Sequence, residues 1–136
     1  MKIQESYSIN QLTQNGKVYL LRFNKWLWNM VGDKDYSFQV GFAAKLETNN
    51  NGFPDGEENL NLTKIEDLLI DKLENTAVFA GTITGGNIKE FVFYTGKPDE
   101  VKTVYEELRK DIKNYDLQFV VQKDPDWKVF KTYCPK

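Results

Sequence analysis

The sequence predicts an α+β fold, a mostly antiparallel sheet with two helices packed on one face. Three observations carry that expectation. Residues 36–46 alternate Tyr36, Phe38, Val40 and Phe42 with Ser37, Gln39 and Gly41, the period of a strand. Two apolar stripes recur at helical spacing, one from Leu62 to Leu73 and one from Val101 to Tyr115. Gly85-Gly86-Asn87 separates two β-rich runs and suits a tight hairpin turn.

Residues 1–15 are polar and weakly patterned, so a loosely held arm is expected, with room for a short element around Tyr7–Leu12. Asn15-Gly16 is a turn signal. Lys17 to Met30 is rich in Val, Leu, Phe and Trp and reads as one strand. The polar turn Gly32–Asp35 would join it to the 36–46 strand as an antiparallel hairpin. Residues 49–56 hold Asn, Gly, Pro and Asp, and are expected to form a mobile loop.

The first helix should follow. Thr63 and Glu66 have the spacing of a capping box, in which side chains satisfy free amides at a helix start. Leu62, Ile65, Leu69 and Leu73 share one face, with Leu68 beside them; Lys64, Asp67, Asp71 and Glu74 lie opposite. Strands are expected at 77–84 and 88–95. Pro98-Asp99 opens the second helix, because Pro has no amide to lose in the first turn. A last strand spans 117–122. Trp127, Phe130 and Tyr133 recur every three residues, the spacing of a short helical turn laying aromatics on the sheet.

Without its first strand the order is β-α-β-β-α-β, that of a ferredoxin-like sandwich. The reading is therefore a single domain over 1–136, with an arm at 1–15 and a ferredoxin-like core at 17–135 carrying an extra N-terminal strand. The sheet face away from the helices is open unless the N-terminal strand or the Trp127 tail covers it.

Composition excludes several classes of function. The 136 residues carry 18 Lys/Arg and 20 Asp/Glu, so no bulk positive charge drives binding to nucleic acid. The charge is uneven. Residues 46–76 carry two basic and eight acidic side chains, which reads as a solvated helix face, or as an acidic docking patch for a basic partner. There is no histidine, which removes Ser-His and Cys-His pairs and His-based zinc sites. Cys134 is the single cysteine, so no intrachain disulfide forms. No apolar run reaches the ~20 residues that span a bilayer, and the N-terminus lacks a signal-peptide core. A cytoplasmic location is the expectation.

Gly52-Phe53-Pro54-Asp55, Ile65-Glu66-Asp67, Glu90-Phe91-Val92-Phe93-Tyr94 and Asp124-Pro125-Asp126-Trp127 occur in that order. Together they resemble the bacterial domain-of-unknown-function 695 family over roughly residues 26–135, leaving the first 25 residues uncovered. That resemblance brings no established activity. The family is similar to, and sometimes fused with, domains that look like the regulator of ribonuclease activity B, which are protein-binding inhibitors of ferredoxin-like fold. The similarity implies a non-enzymatic regulator. No ribonuclease-binding residue matches position by position, so none is carried over.

The remaining side chains offer modest chemistry. Cys134 lacks a neighbouring base and reads as a packed or exposed tail residue. Gly81–Gly86 lacks the Gly-Lys-Ser/Thr ending of a phosphate loop and reads as a hairpin turn. Asp55, Glu57 and Glu58 lie in a Gly-rich stretch, but their spacing is not that of a calcium loop. Glu90 is either a solvent-face charge or a buried carboxylate with a raised pKa. Phe91 and Phe93 alternate as core or, less simply, as a stacking strand for RNA.

The expectation is a non-enzymatic, cytosolic, protein-binding regulatory module with no cofactor and no metal. Its binding surface would comprise Trp26 and Trp28, placed two apart on one strand face, together with Trp127, Phe130 and Tyr133. The alternative is a small-molecule binding protein or carboxylate-dependent enzyme with a pocket between sheet and tail around Glu90, Tyr94 and Trp127. The partner's identity and the oligomeric state stay open.

Overall fold

A computed structural model describes residues 2–48 and 50–136. Met1 of the expected arm and Asn49 of the expected mobile loop lie outside the described residues. The strands are β1 (Tyr7–Gln14), β2 (Lys17–Asn24), β3 (Phe38–Lys45), β4 (Ala77–Gly85), β5 (Ile88–Thr95) and β6 (Gln118–Lys123). The α-helices are α1 (Gly56–Lys72), α2 (Pro98–Asp111) and α3 (Lys128–Tyr133), with 3-10 turns at Lys25–Met30 and Lys34–Tyr36. All six strands form one antiparallel sheet in the order β1-β2-β4-β5-β3-β6.

The N-terminus departs from expectation. Residues 7–14 are a strand, paired in full with β2 across the Asn15-Gly16 turn, where both residues have positive φ. Lys17–Met30 is not one strand. β2 stops at Asn24, whose side chain accepts from the Trp26 amide and the Ser6 amide, and a 3-10 helix begins. The expected hairpin between 17–30 and 36–46 does not form: β2 pairs with β1 and β4, while β3 pairs with β5 and β6. Apolar content predicted strand at 25–30, but a side-chain cap within the chain ended it.

The first helix starts eight residues earlier than the Thr63 box implied. Asp55 is its cap, accepting from the Glu58 amide, while Thr63 sits inside the helix and donates to the Asn59 carbonyl. Both pairs fit the same capping pattern; only Asp55 has the extended backbone a cap needs. α2 ends at Asp111, so Tyr115 continues the apolar stripe from a loop.

The central strands of the sheet are buried on both faces. Val40, Phe42 and Ala44 of β3 and Phe91 and Phe93 of β5 meet Leu62, Ile65, Leu69, Val101, Tyr105 and Leu108 of the two long helices. On the opposite face, Leu21, Phe23, Val78, Ala80, Val92 and Tyr94 pack under Leu27, Met30, Trp127, Phe130 and Cys134. The 3-10 turn and the tail thus cover that face, while the N-terminal hairpin lengthens the sheet instead of capping it.

Candidate functional site

Two of the three tail aromatics are core. Trp127 and Phe130 have no exposed surface, and neither does Tyr94. Tyr94 and Trp127 stack face to face, centroids 3.9 Å apart and planes at 7°. The Trp127 indole N–H donates to the Tyr36 carbonyl. Asp124 accepts from the Tyr94 hydroxyl and from the Lys128 and Val129 amides, and so caps α3. Burial, and then the Asp124 bond, push the Tyr94 hydroxyl well above the usual tyrosine range. The Asp-Pro-Asp-Trp segment is therefore a capping device, with Trp127 in the left-handed region at φ 57°. The pocket expected between sheet and tail is filled by these rings.

Trp26 and Trp28 do not share a strand face, because both lie in the 3-10 turn. Each is half-buried, as is Tyr133. Trp28 donates to the Cys134 carbonyl and meets Phe130 edge-on; Tyr133 stacks on Phe23. The Cys134 thiol is buried and its pKa raised by that burial, which leaves it inert. Glu90 is a half-buried carboxylate on the tail side of the sheet, and burial raises its pKa. It lies against Gly41, where a Cβ would collide with its carboxylate.

The acidic loop residues are also structural. Glu58 accepts from the Glu47 and Thr48 amides, the Thr48 hydroxyl and the Tyr115 hydroxyl. Desolvation pushes its pKa up, but those hydrogen bonds overcome it and hold the value at about 2. Asp55 is occupied as the helix cap.

A cavity of about 520 Å³ opens elsewhere, on the helix side of the sheet beyond the main core. Its floor is made by β2, β4 and β5: Leu20 and Arg22, then Thr82 and Thr84, then Lys89. The register places Arg22 opposite Thr82 and Lys89 opposite Thr84, so the threonines lie between the two cations. Asn59, Thr63 and Glu66 of α1 form one wall, and Phe53, Pro54 and Asp55 form the rim. Gly52 and Asn87 fix that rim, because the Asn87 amide donates to the Gly52 carbonyl and the Leu46 amide to the Asn87 carbonyl.

Arg22 is clamped. One guanidinium nitrogen lies 2.5 Å from Glu66, and the group rests 4.9 Å over the Tyr7 ring and 5.9 Å from that of Phe79. Burial raises the Tyr7 pKa to about 12, with Arg22 opposing. Lys89 is different. It is 9% exposed, and among the described residues its ammonium has no ion-pair partner within 4 Å. Burial lowers its pKa, Glu66 opposes that shift, and Arg22 adds to it.

Sequence reasoning passed over these residues. One signal was legible: strand alternation puts Lys89 on the face of Phe91 and Phe93, an inward position where lysine is rare. The convergence of Arg22, Thr82 and Lys89 from three strands was not legible.

The fold and cavity define an α+β domain with a polar, cation-bearing pocket at the edge of its helix layer. The chain belongs to the family of unknown function DUF695, whose family model matches residues 7–134. The match begins at β1, so the N-terminal hairpin is part of the family domain and not an uncovered arm. No curated protein and no solved structure matches the chain. No helix among the described residues is long and apolar enough to cross a membrane.

Proposed function

We propose that this protein is a non-enzymatic, cytosolic binding module whose ligand is a small anionic molecule held in the Arg22–Lys89 cavity. The carrying observation is Lys89. Lys89 is 9% exposed and, among the described residues, has no carboxylate within 4 Å, Glu66 acting on it only from farther off; a bound anion would offset the cost of placing its charge there. Arg22 is pre-positioned by Glu66 and the Tyr7 ring, so little freedom is lost when it meets an anion. Thr82 and Thr84 add hydroxyl donors. Ile9, Leu20 and Phe53 supply an apolar wall, and the volume falls within the ~300–1,000 Å³ of small-molecule sites.

The strand order β4-β5-β3-β6, with α1 and α2 on one face, supports a ferredoxin-like core extended by the N-terminal hairpin. A regulatory role on a protein partner, the reading drawn from the aromatic tail and from the likeness to regulators of ribonuclease activity B, keeps Trp26, Trp28 and Tyr133 as its surface anchors.

Titration of labelled protein with acetate, pyruvate, citrate and inorganic phosphate, followed by NMR, tests the cavity reading. Shifts clustered at Arg22, Thr82, Thr84 and Lys89, lost in Lys89→Met, support it. Shifts that never localise to the cavity, with any of the four anions, would overturn it.

A further inference from the structure

We propose that Lys89 captures carbonyl compounds as a reversible imine, and that the ligand class of the cavity is the 2-oxo acids. The proposal rests on the anion-binding reading and deepens it. Positive charge holds an anion, and both Arg22 and Lys89 can supply it; only Lys89 can also give up its proton and act as a nucleophile. Lys89, a residue 9% exposed, lines the cavity and adds an amine with no ion-pair partner among the described residues. The low exposure of Lys89 and the Arg22 cation lining the same cavity favour the neutral amine over a second cation, and the neutral amine is the nucleophile. The lowered pKa of Lys89 agrees with this.

The spacing suits a short bifunctional ligand. Arg22 and Lys89 stand on strands separated only by β4, and adjacent strands lie about 4.8 Å apart. Both side chains line the same cavity, with the guanidinium held on the Glu66 and Tyr7 side of it. Arg22 offers guanidinium N–H groups to a carboxylate, and the adjacent carbonyl carbon is then presented to Lys89. The nitrogen lone pair attacks that carbon and the carbonyl π bond breaks. A proton passes from nitrogen to oxygen, giving the carbinolamine. Loss of the remaining N–H proton and the hydroxyl as water forms the C=N bond. No oxidant or further reactant is needed, and hydrolysis reverses the step.

The test is reductive trapping of the full-length protein with pyruvate and cyanoborohydride, followed by peptide mapping, with binding measured in parallel by NMR. The expected result is an adduct concentrated on Lys89 and absent in Lys89→Arg, which keeps the charge but not the nucleophile. In Arg22→Gln the pyruvate adduct on Lys89 should fall about ten-fold relative to the propanal adduct on the same residue, the loss of a charged hydrogen bond. Circular dichroism shows whether the variant is folded, and the adduct position in the wild type stands without any variant. Pyruvate that binds in the cavity without a trapped adduct overturns the imine and leaves the anion site standing. Adducts spread over surface lysines with no preference for Lys89 also overturn it. Neither binding nor adduct overturns both readings.

Discussion

Tyr94 and Trp127 stack at 3.9 Å with nearly parallel rings, and Asp124 ties the Tyr94 hydroxyl to the start of α3. This places the tail in the core. Trp127→Ala should destabilise the fold by about 3–5 kcal/mol, the usual cost of emptying a large aromatic site. Tyr94→Phe should cost about 1–3 kcal/mol, because the Phe130 amide also bonds to that hydroxyl. Urea denaturation of both variants measures this; a neutral Trp127→Ala would mean the tail does not pack as described.

Glu58 should govern acid stability. Its folded pKa, about 2, lies below the ordinary 4.5. Its contribution is therefore fully present above pH 4.5 and lost as pH falls toward 2. Glu58→Gln should flatten the loss of stability across that window and lower stability at neutral pH. A wild-type curve and a Glu58→Gln curve of the same slope between pH 4.5 and 2, the window set by the two values, would contradict it.

Lys89→Met should raise the melting temperature while abolishing anion binding, since it removes a buried charge and keeps the volume. The sign with pH follows from the lowered folded pKa of Lys89, with Glu66 and Arg22 the charged groups nearest to it. Between that value and the ordinary 10.5 the unfolded chain binds the extra proton, so Lys89 makes the wild type gain stability as pH rises. Calorimetry of both proteins through the alkaline range would show the gain vanish in Lys89→Met.

Glu90 carries the opposite sign. Its raised pKa means that the native state binds the extra proton just above pH 4.5, so stability falls as pH rises through the folded value. Glu90→Gln should stabilise the protein at neutral pH and remove that fall. Gly41→Ala should push the carboxylate outward and lower its pKa, readable by carboxyl NMR titration.

Gly81 marks the irregularity in the pairing of β4 with β5, and a Cβ there would strike the Arg22 carbonyl and the backbone of Phe23. Gly81→Ala should cost about 1–3 kcal/mol and disturb Arg22, weakening the anion site with it. Unchanged stability in thermal melts would show that β2 can move aside.

The sequence by itself determined the local elements and the sheet's helix-covered face. Leu62, Ile65, Leu69 and Leu73 announced α1; strand alternation announced β3 and β5; Gly85-Gly86-Asn87 announced their neighbour's turn. Each is a short-range rule, set by backbone period and turn geometry. Tertiary structure decided what those rules leave free. Whether Lys17–Met30 stayed extended depended on the Asn24 cap, and whether the Ser8–Thr13 polar run became a strand depended on the partner β2 offered. Trp127 as core or surface is the same residue on paper, and Tyr94, thirty-three positions away, decided it. The cavity was the least legible feature, because Arg22, Glu66 and Lys89 are far apart in the chain, and only strand order and helix placement bring their charges into one field.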